Sequence, residues 1–168
     1  MSFAIRPARA ADHARILALN LESEEMLSPM DAARLHELDA MAACHRVVCE
    51  GHEVVAFLLA FREGAAYDSP NYAWFAQRYS RFLYVDRIVV AGTHQGRGLG
   101  PLLYRDLFDF ARASNIGAVT AEFYTVPPNE ASRRFHAAFG FEEVGAQWVA
   151  DGRKQVSLQV ARIPVSQA

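Results

Sequence analysis

"HQGRGLGPLLYRDLFDFAR", residues 94–112, crowds Gly96, Gly98 and Gly100 into five positions and then runs without a break into a helical pattern. Leu99, Leu103, Leu107, Phe110 and Ala111 recur at i, i+4, i+8, i+11 and i+12. That spacing puts them on one face of a helix, which ends around Asn115 and Gly117. Ahead of the glycines, "RFLYVDRIVV" (81–90) is rich in β-branched and aromatic residues and reads as a strand. A strand, a glycine-rich turn and a helix start, in that order, make an anion site, because unpaired helix N–H groups and the positive end of the helix dipole converge there. Glycines let the backbone approach a ligand and take positive φ, and Arg97 can add charge. Phosphate is the natural guest. Taken alone, the glycines fit a strained turn with no ligand at least as well.

Composition bounds what surrounds this stretch. The chain has 168 residues, 52% hydrophobic and 21% charged, which is ordinary for a globular protein. It reads as one domain over 1–168, able to bury roughly 70% of the surface that its unfolded chain exposes. A net charge of −2 offers no pull toward nucleic acid or an anionic membrane surface. No stretch approaches the roughly 20 apolar residues of a membrane span, and "MSFAIRPARAADHARILALN" lacks the apolar run of a secretion signal, so the expected location is cytoplasmic. Cys44 and Cys49 are too few for a disulfide framework and read as reduced thiols.

Around the central stretch, "FAIRPA" reads as a first strand and 11–23 as a helix. A second helix is expected to start with Ser28 as N-cap and Pro29 at its first position. "HRVVCEGHEVVAFLLAF" reads as a hairpin turning at 50–52, and 63–79 as a long loop. "AVTAEFYTV" is a buried-looking strand, 129–138 a short helix, and the last segment a hairpin turning at "ADGR". The class is mixed α/β.

Two nucleotide patterns fail on detail. The Walker loop wants Lys and then Ser or Thr after its last glycine, whereas Leu99, Gly100 and Pro101 follow Gly98. The dinucleotide pattern G-x-G-x-x-G is not matched by G-x-G-x-G. The order Q-x-x-G-x-G at Gln95, Gly98 and Gly100, after a strand, resembles instead the acyl-CoA pyrophosphate loop of the GNAT superfamily of N-acetyltransferases. A second block agrees: "NEASRRFHAAFGF" places Asn129, Ser132, Phe135, Gly140 and Phe141 at the spacing of that family's N-x-x-A-x-x-F-Y-x-x-x-G-F. "IRPARAADHARILALN" is similar to its first strand and helix, so the likeness spans nearly the whole chain.

This resemblance implies a central, mostly antiparallel mixed sheet flanked by helices on both faces, and acetyl-CoA or another acyl-CoA as cofactor. It implies that backbone N–H groups of Gln95, Gly96, Arg97, Gly98, Leu99 and Gly100 hold the pyrophosphate and that Ile88 and Val90 pair with the pantetheine. Asn129 would contact the CoA arm, within the block that includes Ser132, and Phe135 would pack beside it. Pro101 departs slightly, offering no N–H in the first helical turn.

Acyl transfer to an amine needs the amine neutral, yet an amine with a pKa of about 10.4 is almost wholly protonated at pH 7, so a base must take its proton. In the family a carboxylate on the strand before the loop often serves. Tyr84 stands where glutamate is common, and Asp86, two residues on and on the same face, is a shifted substitute. An ion pair with an arginine explains Asp86 equally well. Glu122, among buried-looking neighbours, is the other candidate base. The N–H of Ile88 is expected to stabilise the oxyanion. Where the family has a tyrosine that protonates the leaving thiolate, this chain has His136. It is expected either to protonate or hydrogen-bond that thiolate, or to be a helix histidine with no catalytic part.

Cys44, His45, Cys49 and His52 suggest zinc only weakly, since strand alternation puts Cys44 opposite His45 and Cys49. No metal is expected. Tyr67, Tyr72, Trp74, Phe75 and Tyr79 in the long loop could border an acceptor pocket, pack on the surface or form a homodimer contact. The functional expectation is direct acetyl transfer from acetyl-CoA to a small-molecule or peptide amine. A non-catalytic acyl-CoA-binding module on the same fold is the rival, and a mononucleotide-binding protein a distant third.

Overall fold

The computed structural model describes residues 2–165. Its strands are β1 (Phe3–Pro7), β2 (Cys44–Glu50), β3 (Glu53–Arg62), β4 (Leu83–Val90), β5 (Ala118–Val126), β6 (Glu142–Val149) and β7 (Lys154–Arg162). Its helices are α1 (His13–Glu22), α2 (Ala32–Met41), α3 (Pro70–Ala76), α4 (Leu99–Ala113) and α5 (Glu130–Ala138). The strands form one sheet in the order β1-β2-β3-β4-β5-β7-β6. Its pairing is antiparallel at β1–β2, β2–β3, β5–β7 and β7–β6 and parallel at β4–β5. The mixed, mostly antiparallel sheet expected from the sequence is therefore present. No helix among the described residues is long and apolar enough to cross a membrane.

Contacts gather into two compact units. One takes the chain up to Phe61 together with Val85–Asp109, and the other takes Arg62–Tyr84 together with the chain from Phe110 on. In the first, β2 shows why helices lie on both faces of a strand. His45 reaches Asp39 of α2 with Nδ1 2.6 Å from a carboxylate oxygen, while its neighbour Arg46, pointing the other way, pairs with Asp106 of α4 at 3.2 Å. Val47, Val48, Phe57, Leu58 and Leu59 between them are fully buried. The entry to α1 is fixed by Arg6, whose two guanidinium nitrogens donate to Asp12 at 2.7 and 2.9 Å, while the Arg9 N–H donates to the same carboxylate. The Arg6 hydrogen bonds pull the Asp12 carboxyl down to about 2.

The second helix does not start at Ser28 and Pro29. Asp31 is its N-cap, accepting from the Arg34 N–H at 2.8 Å, and the Ser28 carbonyl is taken by Asn20 and Arg87. The first helix is shorter than expected, a 3-10 turn at Ala10–Asp12 leading into α1.

In the second unit, the long loop at 63–79 contains α3, with Ser69 as N-cap and Pro70 in the first turn. Trp74 lies against the backbone of Gly145 in β6, where a Cβ would overlap the indole at Cζ2. The Gln147 side chain donates to Asn71 at 2.7 Å, tying β6 to α3 again. The closing hairpin turns at 150–153 as expected, with Ala150, Asp151 and Gly152 at positive φ.

Candidate functional site

The central stretch folds as strand, turn and helix. β4 ends at Val90, a 3-10 turn covers Gly92–His94, and Gln95 is extended. Gly96 and Gly98 then take φ of +75° and +81°, a region that L side chains rarely enter. The first hydrogen bond of α4 runs from the Leu102 N–H to the Gly98 carbonyl at 3.1 Å. The N–H groups of Gly98, Leu99 and Gly100 therefore have no acceptor within the helix, Pro101 has no N–H, and Gly98 has no side chain to cap them. Leu99 is buried and anchors the turn, followed on the same helix by Leu103, Tyr104 and Leu107. Tyr104, which the stripe of apolar residues does not include, is fully buried, and Phe110 is only half-buried.

Arg97 turns back to Glu50 at 3.3 Å, with its guanidinium 4.9 Å above the Phe3 ring. Glu50 also meets His94 at 3.3 Å, and that hydrogen bond together with Arg97 lowers its pKa. The charge beside the glycines is thus held to the end of β2. Ile88 and Val90 are half-buried on β4 and alternate with buried Val89.

The two candidate bases stand in different company. Asp86 pairs with the adjacent Arg87 at 2.6 Å, and both side chains are about 5% exposed or less. Arg87 also donates to Asn20 at 2.9 Å and to the Ser28 carbonyl at 3.2 Å. This network anchors the segment leading into α2, beneath a cavity of about 440 Å³ whose lining includes Asn20, Leu21, Met30 and Arg34. Glu122 instead accepts from the Tyr84 hydroxyl at 2.8 Å. Sequence spacing gave no hint of this pair, because it depends on β4–β5 register: Tyr84 sits opposite Thr120, and Glu122 follows two residues later on the same face.

His136 of α5 is buried against the rings of Phe123, Phe135 and Phe141, with centroids 5.0 to 5.7 Å away. Its Nδ1 lies 2.8 Å from the Ser132 carbonyl, so that nitrogen carries the proton and donates. Burial pushes the ring's pKa down. The histidine is accordingly neutral at pH 7, with Nε2 bare of hydrogen. Asn129 caps α5, its Oδ1 accepting from the Ser132 N–H at 3.2 Å, and Phe135 packs on Phe139 with centroids 5.2 Å apart.

Cys44 and Cys49 are both buried, and burial pushes the Cys44 thiol up to about 11. No group of three or more His, Cys, Asp or Glu among the described residues is arranged to hold a metal ion.

Residues 13–141 match the family described as Acetyltransferase (GNAT) family. The chain is 47% identical to phosphinothricin N-acetyltransferase of Streptomyces coelicolor over 58 residues, covering 34% of this chain and a third (33%) of that relative's length. Among solved structures it resembles Ard1 from Thermoplasma volcanium, with a TM-score of 0.79 at 15% identity, covering 98% of this chain and 99% of that one. It also resembles yncA from Salmonella typhimurium, solved with its cofactor acetyl-CoA, with a TM-score of 0.75 at 21% identity over 100% and 98% of the two chains. At these identities the structural likeness speaks for the fold.

Proposed function

The chain belongs to the GNAT acetyltransferase family, and from that premise we propose that it transfers an acetyl group from acetyl-CoA to the amine of an acceptor by direct attack. The observation that carries this reading is the uncapped start of α4. Three N–H groups without helical acceptors, reached through two glycines at positive φ, suit the negative charge of a pyrophosphate. The backbone of Ile88 and Val90 is the strand we assign to the pantetheine, and the Ile88 N–H is the donor we assign to the oxyanion.

Glu122 is the base we favour over Asp86. Asp86 is bound to Arg87 at 2.6 Å in a buried network that anchors the segment leading into α2, whereas the Glu122 carboxylate meets the Tyr84 phenol at 2.8 Å. A carboxylate takes the proton from the ammonium form of the acceptor. The amine then attacks the thioester carbonyl, the C–S bond breaks, and the nitrogen gives up its remaining extra proton, which balances the one gained by the departing thiolate. His136 supports α5 by packing in this reading. Its proton is committed to the Ser132 carbonyl, and its depressed pKa opposes the imidazolium that an acid would need.

Titration calorimetry with acetyl-CoA, and ATP as control, tests the donor. Selective binding of acetyl-CoA is expected, and binding of neither would end the proposal. An assay of CoA release over a panel of primary amines tests turnover. Phosphinothricin heads the panel because the Streptomyces relative carries it in its name. Release that no amine accelerates would favour a non-catalytic binding module.

A further inference from the structure

Resting on the reading of Glu122 as base, we propose that Tyr84 is a positioning residue for it, and that the aromatic segment containing α3 serves to hold Tyr84 in place. The ladder between β4 and β5 pairs Leu83 with Val119 and Tyr84 with Thr120, and Glu122 follows just past the last pair. Tyr84 is 1% exposed, yet its hydroxyl reaches the Glu122 Oε1 at 2.8 Å. A buried phenol needs a hydrogen-bond partner, and this one is a carboxylate, so the bond is charge-assisted.

The ring has little freedom to leave. Tyr72 and Phe75, both buried in α3, lie 5.5 and 5.9 Å from it, and Tyr67 lies 6.5 Å away. Tyr72 is fixed in turn: its hydroxyl donates to the Arg62 carbonyl at 2.5 Å and accepts from the Ala65 N–H at 3.1 Å. Ser69 caps the helix that carries it. A segment that reads as a loop from sequence thus forms a chain of contacts that ends on one carboxylate oxygen.

The chemistry favours a phenol in this place. It stabilises the ionised carboxylate and fixes its direction without neutralising it, so Glu122 can still receive a proton. During the transfer the Tyr84 proton stays on its own oxygen. Only the bond to Oε1 weakens as the carboxylate becomes a carboxylic acid, and it strengthens again when that proton passes to solvent. Titratable groups on this side include Asp86 two residues along β4, Tyr67 and Tyr72 from the α3 segment with Glu63 acting on Tyr72, and Tyr124 with the Lys154 ammonium 4.9 Å above its ring. Across the β5–β7 ladder, Glu122 faces Leu158.

The test uses the full chain and follows kcat and kcat/KM for the amine against pH at saturating acetyl-CoA. Tyr84→Phe is expected to lower kcat by about ten- to a hundredfold, the weight of one hydrogen bond to a charged group. Its Kd for acetyl-CoA stays unchanged, and the acidic limb of the profile moves to higher pH because the carboxylate has lost a donor. Glu122→Gln separates the two claims, with an expected loss of at least about a hundredfold. If Glu122→Gln is inactive while Tyr84→Phe keeps its kcat and an unmoved limb, the positioning role is overturned and the base stands. If Glu122→Gln is fully active, the base reading itself falls, and the proposal with it. Should Tyr84→Phe not fold, 3-fluorotyrosine at position 84 keeps ring and hydroxyl but donates more strongly. It is expected to move the acidic limb to lower pH, and an unmoved limb overturns the proposal.

Discussion

The starts of α4 and α5 were drawn from two blocks of sequence with the same expected task, and they are built in opposite ways. At α5 a side chain closes the helix: the Asn129 Oδ1 accepts from the Ser132 N–H. At α4 the corresponding position is Gly98, which has nothing to close it with, and the residue that could have supplied the last N–H is Pro101. A closed N-terminus is a stability device, whereas an open one holds partial positive charge in reserve for something outside the chain. A motif residue can therefore recur for its effect on the fold as readily as for its contact with a ligand. Local hydrogen bonding tells the two apart.

Breaking the open end should have the largest effect. Gly98→Asp puts a carboxylate where a pyrophosphate is expected, and acetyl-CoA affinity should fall by about 100-fold or more in calorimetry, since like charges in contact cost several kcal/mol. Unchanged affinity would mean that the glycines serve only the turn. A glycine with a purely architectural task sharpens the contrast. Gly145→Ala forces a methyl into Trp74 and should destabilise the fold by about 1–3 kcal/mol in denaturant titration, with acetyl-CoA affinity unaltered.

Opening the closed end should matter less. Asn129→Ala is expected to cost about 1 kcal/mol, a drop of roughly 2–4 °C in Tm, again without loss of affinity. A tenfold loss of affinity at constant Tm would return Asn129 to the cofactor and undo the comparison. The smallest effect concerns pH. His45 and His136 both have pKa values lowered mainly by burial, so below about 6.5 the unfolded chain takes up protons that the folded chain resists. Tm should therefore fall by a few degrees between pH 7 and 5, most of it before Asp12, held near 2, begins to titrate. A flat Tm over that range would show that these histidines are protonated in the fold.

What the sequence made legible was whatever depends on near neighbours. The glycine turn, the α4 stripe and both hairpins follow from spacing along the chain. The dipeptide Ser-Pro marks where this stops. At Ser69-Pro70 it starts a helix, while at Ser28-Pro29 the same signal does not, because the Ser28 carbonyl is claimed by Arg87 and Asn20 and the helix waits for Asp31. Propensity proposes a boundary, and tertiary hydrogen bonds decide it. The candidate site divides in the same way. The glycine loop proposed for the cofactor is visible as a motif, and Asp86 and Glu122 both stand as candidate bases, with an ion pair an equal reading for Asp86. The ion pair that Asp86 makes with the adjacent Arg87 is one of the two readings open for it in the sequence, whereas nothing along the chain points to a phenol 38 positions before Glu122. That second pairing is made by strand register, which a single sequence does not reveal.

Pro101 gives the open end of α4 a property beyond charge. Its ring fixes φ near the helical value, and Leu99, two residues earlier, is sunk in the core, so the helix start is already confined before any ligand arrives. The ordering entropy that a glycine-rich loop would otherwise surrender on binding is largely surrendered at folding. The pyrophosphate proposed for this turn would then meet three N–H groups already in place, and its capture would demand little rearrangement of the backbone.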